Sequence, residues 1–266
     1  ISIRRVRPSP SSPLPEPDAE AREHSARVLE VVRDAIVAGG GWLPFADYMQ
    51  LALYAPGLGY YAAGARKFGA DGDFTTAPEV SQIFGELIGL WSAVVWQQMG
   101  SPRHINLVEL GPGRGTLMRD ALRAAAKVPG FIDALDVHLV ESNEPLIRMQ
   151  RKTLETVSNT LRWHGSLQSV PKGPVLLIAN EFLDTAAVEQ SVDGAERRVT
   201  LDGRDRLVFA PASGVIKESQ DHLALTMELA SRASDAPLAA LFIDYGHFET
   251  AAGETMQALR GHAPEH

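Results

Sequence analysis

A chain of 266 residues, 45% hydrophobic and with a net charge of −8, has enough apolar material for one sizeable core, or a core with a smaller lobe beside it. The acidic balance argues against a general nucleic-acid binder, which would need a basic stripe. These residues include no cysteine, which rules out disulfides, a cysteine-ligated zinc and a thiol nucleophile among them.

No apolar run is long enough to cross a membrane as a helix. No metal site is expected from the scattered histidines, and no Gly-x-Ser-x-Gly elbow of a hydrolase is present. Residues 1–17 begin Ile-Ser-Ile-Arg-Arg-Val-Arg and turn Pro/Ser-rich, so a disordered tail is expected; the arginines would also suit the remnant of a targeting presequence. Asp18 is a candidate N-cap for a helix reaching Ala38, with Val28, Leu29, Val32 and Ile36 as its apolar stripe and Gly39-Gly40-Gly41 as its stop. Pro44 opens a second helix through Tyr54 that turns Phe45, Met49, Ala52 and Leu53 inward. A turn-rich aromatic stretch follows at residues 55–61.

Residues 67–79 form a long polar loop, and loops of that length in a compact domain are functional or disordered. Its two aromatics and lack of a like-charge run favour order. It delivers Asp73, Thr75 and Thr76 to a strong helix over residues 78–99. There Val80, Ile83, Phe84, Leu87, Ile88, Trp91, Val94 and Val95 keep helical spacing and are expected in the core. Gly100 and Pro102 end it.

The apolar run from Ile105 to Leu110 reads as a buried parallel strand. It ends in Gly111, Gly113 and Gly115, and residues 116–127 then read as a helix with Leu117, Met118, Ala121, Leu122 and Ala125 on one face. Glycine lets such a turn tighten and approach a ligand, and the helix start offers free N–H groups and partial positive charge. The third glycine comes one residue earlier than in the dinucleotide fingerprint, with Thr116 where that pattern wants glycine. Glu109 stands two residues before the first glycine, giving E-x-G-x-G-x-G, which is similar to the S-adenosylmethionine motif of class I methyltransferases. The plainer alternative is a turn whose glycines serve packing. A second acid, Glu141, ends the next apolar run, residues 137–140. A carboxylate there can accept both ribose hydroxyls of a nucleoside, which favours the nucleoside reading.

Further along, strands are expected at residues 136–141, 161–164, 174–180 and 238–243, and helices at 145–158 and 222–234. Residues 188–210 read as an antiparallel meander with Asp193-Gly194 and Asp202-Gly203 as turn signals. Strands alternating with helices imply a doubly wound, mostly parallel α/β sheet, whose ligands sit outside the carboxyl ends of the strands. That edge gathers residues 109–115, Glu141, Asn180-Glu181-Phe182-Leu183-Asp184 and Asp244-Tyr245-Gly246-His247.

Five stretches together resemble the MidA family of S-adenosylmethionine-dependent methyltransferases, which comprises bacterial proteins and mitochondrial complex I assembly factors. They are residues 53–61 (LYAPGLGYY), 72–86 (GDFTTAPEVSQIFGE), 109–116 (ELGPGRGT), 180–184 (NEFLD) and 243–247 (IDYGH). The resemblance implies a class I, Rossmann-like methyltransferase core over 104–266, preceded by a helical N-terminal region at 18–103 whose loop covers the cofactor. S-adenosylmethionine would be held by Glu109, Gly111, Gly113, Gly115 and Glu141, with Thr75 and Thr76 over it. A protein substrate is implied, in mitochondrial members an arginine of a complex I subunit that is symmetrically dimethylated. Neither nucleic acid nor a membrane is an expected partner, and a homo-oligomer is compatible. The compartment would be the cytoplasm for a bacterial chain and the mitochondrial matrix for a eukaryotic one. Two departures stand out: Thr185-Ala186-Ala187-Val188 replaces an expected Ala-Leu-Pro-Val, and the family usually continues beyond the last residue here, with two more strands.

Arginine is a poor nucleophile because its guanidinium stays protonated. A site that methylates it needs carboxylates to hold the fork and localise electron density on the attacking nitrogen. Glu181 and Asp184 are the candidates for that clamp. Asn180 would support it from the side, and Tyr245 and His247 would wall the channel or relay the released proton. A non-catalytic cofactor-binding assembly factor, a nucleotide-dependent oxidoreductase and a methyltransferase acting on small molecules or nucleic acid are the alternative readings.

Overall fold

The computed structural model describes residues 19–62, 76–157 and 160–246, and the backbone of two short strands after them. Residues 1–17, Asp18, Asp73, Thr75 and His247 lie outside the described residues. The first half runs α1 (Ala19–Ala38), β1 (Trp42–Pro44), α2 (Phe45–Tyr54), α3 (Ala77–Val80), α4 (Gln82–Gln98), β2 (Ile105–Leu110), α5 (Thr116–Ala125), α6 (Phe131–Ala134) and β3 (Leu135–Val140). It continues with α7 (Glu144–Thr153), β4 (Leu161–His164), β5 (Val175–Asn180), β6 (Val188–Val192), β7 (Ala195–Glu196), β8 (Arg198–Leu201), β9 (Leu207–Ala210) and β10 (Ile216–Gln220). The last elements are α8 (Leu223–Asp235), β11 (Leu238–Ile243), β12 (Ala258–Arg260) and β13 (Ala263–Glu265).

The central sheet is five-stranded, ordered β11-β5-β2-β3-β4, and every pairing in it is parallel. Strand β2 is buried along its whole length, as a strand covered on both faces must be. Its side chains alternate between two cores. Ile105 and Leu107 face α5 and α6, with Met118, Ala121 and Phe131. Val108 and Leu110 face the other side, where Leu225 and Leu229 of α8 pack. This is the doubly wound α/β sheet expected from the alternation of strands and helices.

Three features differ from the sequence reading. The helix expected over residues 78–99 breaks at Ser81, which is extended and accepts a hydrogen bond from the Ile83 N–H at 3.3 Å, capping α4. Helix α4 also turns a partly different face to the core. Ile88 is buried as expected, with Gly85, Gly89, Ser92, Ala93 and Trp96, and Phe84 and Val95 pack against the same core. Ile83, Leu87 and Val94, and Val80 of α3, are exposed, Val80 by 72%. The reason is backbone proximity: a Cβ on Gly89 would stand 2.2 Å from the Ala121 carbonyl oxygen of α5. Helices that meet this closely do so through glycine and alanine, whatever their larger side chains would gain by burial.

The meander expected over 188–210 is split between two small sheets. Strands β6 and β7 join β10 in the order β10-β6-β7, while β8 and β9 join β1 in the order β1-β8-β9. Strand β1 comes from the N-terminal region, which is therefore not purely helical. It pairs Leu43 with Val199, both buried together with Val32, Ile36 and Phe45. Three residues between a glycine run and a helix carry no readable period, and β10 (Ile-Lys-Glu-Ser-Gln) is too polar to stand out as a strand.

Candidate functional site

Strand β2 delivers the chain to Gly111 at φ +60°, and the turn continues through Gly113 at +53° and Gly115 at +82°. This backbone region costs an L-residue energy but suits glycine. Gly111 has a second reason to be glycine: a Cβ there would lie 2.8 Å from the Phe182 ring. The glycine turn and the 180–184 segment are thus packed against each other. Between them opens a cleft lined by Thr76, Glu79, Glu109, Gly111, Gly113, Asn180, Glu181 and Asp184, with Tyr61 and Thr185 at one side.

Glu109 is buried, and burial pushes its pKa up to about 8. Its Oε2 has no hydrogen-bond partner, an arrangement that costs free energy until a donor arrives. Glu141 follows β3. Its Oε1 accepts from the Asn143 N–H at 2.8 Å and its Oε2 from Gln150 Nε2 at 3.2 Å. Burial raises the Glu141 pKa, against these hydrogen bonds. Gln150 also donates to the Gly113 carbonyl at 2.9 Å and accepts from Trp163 Nε1 at 2.9 Å, so it fastens the glycine turn to Glu141. Glu141 stands beside the cleft rather than among the residues that line it.

Thr76 does line the cleft, at the start of α3. Next to it, Glu79 accepts from Thr116 Oγ1 at 2.6 Å and faces Arg114 at 3.5 Å, tying α3 down over the glycine turn. On the opposite wall Asn180 ends β5, and Glu181 holds φ +49°, a strained conformation for a non-glycine residue and one that gathers at functional sites. The Glu181 N–H donates to the Ile243 carbonyl at 2.8 Å, and its carboxylate accepts from the Ala77 N–H and the Asn180 side chain. Burial, then Asp184, raises the Glu181 pKa. Asp184, at the exposed rim, is raised by burial and then by Asp244. Asp244 also shapes this wall, accepting from the Leu183 N–H at 2.8 Å and the Asp184 N–H at 3.3 Å. Tyr245 is 80% exposed beside these acids. No cluster of metal-ligating side chains occurs among the described residues.

The structure therefore brings Glu109, the three glycines, Thr76, Asn180, Glu181 and Asp184 to one edge, with Glu141 adjoining. Sequence reasoning placed Asp244 on this edge without a role and missed Glu79 and Gln150. Neither of the two missed residues carried a local signal of its role, since each sits within a helix that shows no binding motif of its own.

Residues 87–266 match the family model described as "Putative S-adenosyl-L-methionine-dependent methyltransferase". The chain belongs to this family of methyltransferases, in its MidA group. Protein arginine methyltransferase NDUFAF7 of Danio rerio is 34% identical over 88% of this chain and 65% of its own length. Its Drosophila melanogaster homologue is 33% identical over 95% of this chain and 68% of its own length. Both are named mitochondrial. A Burkholderia thailandensis protein with S-adenosyl-homocysteine bound superposes with a TM-score of 0.76 at 31% identity, covering 88% of this chain and 66% of that one. The chain thus spans about two thirds of the length of these relatives. No helix among the described residues is long and apolar enough to cross a membrane.

The MidA cleft fits the family's cofactor by its own chemistry. The unpartnered Glu109 oxygen calls for a hydrogen-bond donor, which the cofactor's cationic amino-acid tail would supply. The glycine turn leaves room for close approach, and α5, with Gly115 as its N-cap, starts at the same edge. Such a cation would also draw the proton off Glu109, whose burial otherwise favours the neutral acid. Glu141→Ala is expected to weaken S-adenosylmethionine binding by about 1.5–3 kcal/mol, the scale for losing hydrogen bonds to a charged group. Calorimetry on the purified variant measures this, and wild-type affinity would remove Glu141 from the site.

Proposed function

We propose that this cleft transfers a methyl group from S-adenosylmethionine to an arginine side chain of a protein substrate. The observation that carries the reading is the pairing, in one cleft, of a glycine turn and buried acid on one wall with Glu181 and Asp184 on the other. The first wall suits a nucleoside with a cationic amino-acid tail. The second suits a guanidinium, which two carboxylates can grip through its planar fork. Relatives named protein arginine methyltransferases support the same acceptor, and the MidA resemblance suggests a complex I subunit, in the mitochondrial matrix for a eukaryotic chain.

The bound cofactor would supply an electrophilic sulfonium methyl, held by Glu109, the glycine turn and Glu141. The chain's residues then do the positioning that such an in-line displacement depends on. Glu181, fixed by Ala77 and Asn180, and Asp184, fixed through Asp244, orient the guanidinium and raise electron density on the attacking nitrogen. As the N–C bond forms, that nitrogen sheds one proton. Glu181 and Asp184, whose carboxyl pKa values are both raised, are suited to take it and pass it to solvent.

The test is mass spectrometry of a cell extract treated with the protein and isotopically labelled S-adenosylmethionine. Label on a protein arginine is the expected result. Label on a small molecule or nucleic acid would overturn the acceptor, and tight cofactor binding without label transfer would favour a non-catalytic docking role.

A further inference from the structure

Tyr61 sits where the two walls meet, and the cofactor chemistry assigns it no role. It lines the cleft together with Glu181 and Asp184. Its ring stacks on Tyr54 with centroids 5.5 Å apart and planes 29° apart, and the Tyr60 and Tyr61 rings stand perpendicular, at 86° with centroids 5.2 Å apart. Both supports of this aromatic group come from the site itself. The Tyr54 hydroxyl donates to the Thr185 carbonyl at 2.8 Å, just after the acidic pair. From the other wall, Asn143 Nδ2 donates to the Tyr61 carbonyl. The same Asn143 donates its backbone N–H to Glu141 Oε1 at 2.8 Å and accepts from the Leu146 N–H at 3.1 Å, capping α7. A continuous path thus runs from the carboxylate on the cofactor side, through Asn143, to the backbone of a tyrosine beside the acceptor acids.

An aromatic face next to carboxylates discriminates between cations. The acids pair with the in-plane N–H groups of a guanidinium, while the ring takes its flat, weakly hydrated face. An ammonium has no such face and holds its water more strongly.

We propose that Tyr61 binds the acceptor, its ring stacking on the arginine guanidinium held by Glu181 and Asp184, and that Asn143 is the positioning residue that holds Tyr61 there. This rests on the arginine methylation reading above.

The experiment uses the full chain, S-adenosyl-homocysteine as the cofactor-side probe, and an arginine peptide selected as a substrate of the wild type. Tyr61→Leu is expected to raise the peptide KM by about tenfold, the scale of a desolvated cation–aromatic contact. Its kcat and its S-adenosyl-homocysteine affinity should change far less, and Tyr61→Phe should keep the wild-type KM. Asn143→Asp retains the oxygen that caps α7 but loses the donor to Tyr61, so it should raise KM in the same direction. Combined with Tyr61→Leu it should add little, because both act on one contact. Should Tyr61→Leu fail to fold, Tyr61→Met fills similar space without a ring face and carries the comparison. An unchanged KM in the leucine or methionine variant overturns the proposal. So does a fall in cofactor affinity that tracks the KM rise, which would mark Tyr61 as packing alone. If the wild type binds S-adenosyl-homocysteine yet methylates no arginine peptide, the arginine reading itself has failed and this proposal falls with it.

Discussion

Glu181→Gln is expected to lower the methylation rate by about 10²-fold or more while leaving S-adenosylmethionine affinity near wild type, the scale for losing one preorganised charge contact. The substitution keeps the size of the side chain and an oxygen for the Ala77 N–H, so the wall of the cleft should persist. What it removes is the negative charge, and charge is what a guanidinium needs from its partner. Bringing that cation into a partly dry cleft costs several kcal/mol unless an anion meets it. Glu181 is the better anchored of the two acids, because its carboxylate accepts from the Ala77 N–H and the Asn180 side chain, while Asp184 lies at the rim. Asp184→Asn should therefore cost less than Glu181→Gln. Single-turnover kinetics with saturating cofactor separates the rate from binding. Wild-type rates in both variants would end the clamp hypothesis and move the non-catalytic reading ahead.

Arg232→Ala is expected to lower folding stability by about 3–5 kcal/mol, as breaking a buried ion pair does. Its side chain, only 2% exposed, reaches from α8 to four acceptors. It pairs with Glu228 Oε1 at 2.7 Å and donates to the carbonyls of Leu167 at 2.7 Å, Val170 at 2.8 Å and Pro171 at 3.0 Å. No methionine or lysine reproduces that fork, so truncation strands several acceptors at once. These contacts pin α8 to the β4–β5 connection, on the side of the sheet where Leu225 and Leu229 join the core. The residue is remote from the cleft, so the affinity of the folded variant for S-adenosyl-homocysteine should be unchanged. Urea unfolding measures the loss, and a shift below about 1 kcal/mol, the scale of a single ordinary hydrogen bond, would mean that water replaces the arginine.

Whatever is encoded locally could be read from the chain before it folds. Short, mostly apolar runs read as strands covered on both faces, and β2 and β5 are. Three glycines in alternate positions, followed by an amphipathic run, had to be a turn into a helix, and all three hold positive φ. Because α/β sheets bind ligands past their strand ends, the same reading gathered Glu109, Glu141, Asn180, Glu181 and Asp184 to one edge. Their meeting in space follows from parallel strand order, which the alternation of strands and helices implies.

Which surfaces meet is a property of the folded chain. Nothing periodic in α4 says that Gly89 must lie against Ala121, so Ile83, Leu87 and Val94 seemed destined for the core along with Ile88. Strand β1 exists because Leu43 finds Val199, more than 150 residues away in sequence, and three residues cannot announce a partner at that distance. Gln150 and Tyr61 acquire their roles in the same way. Each is an ordinary residue in its own segment, and each touches the site only because a different segment is folded against it. Local periodicity fixes the elements, but contacts between distant parts of the chain depend on shape complementarity and close backbone approach, which no single stretch of sequence contains.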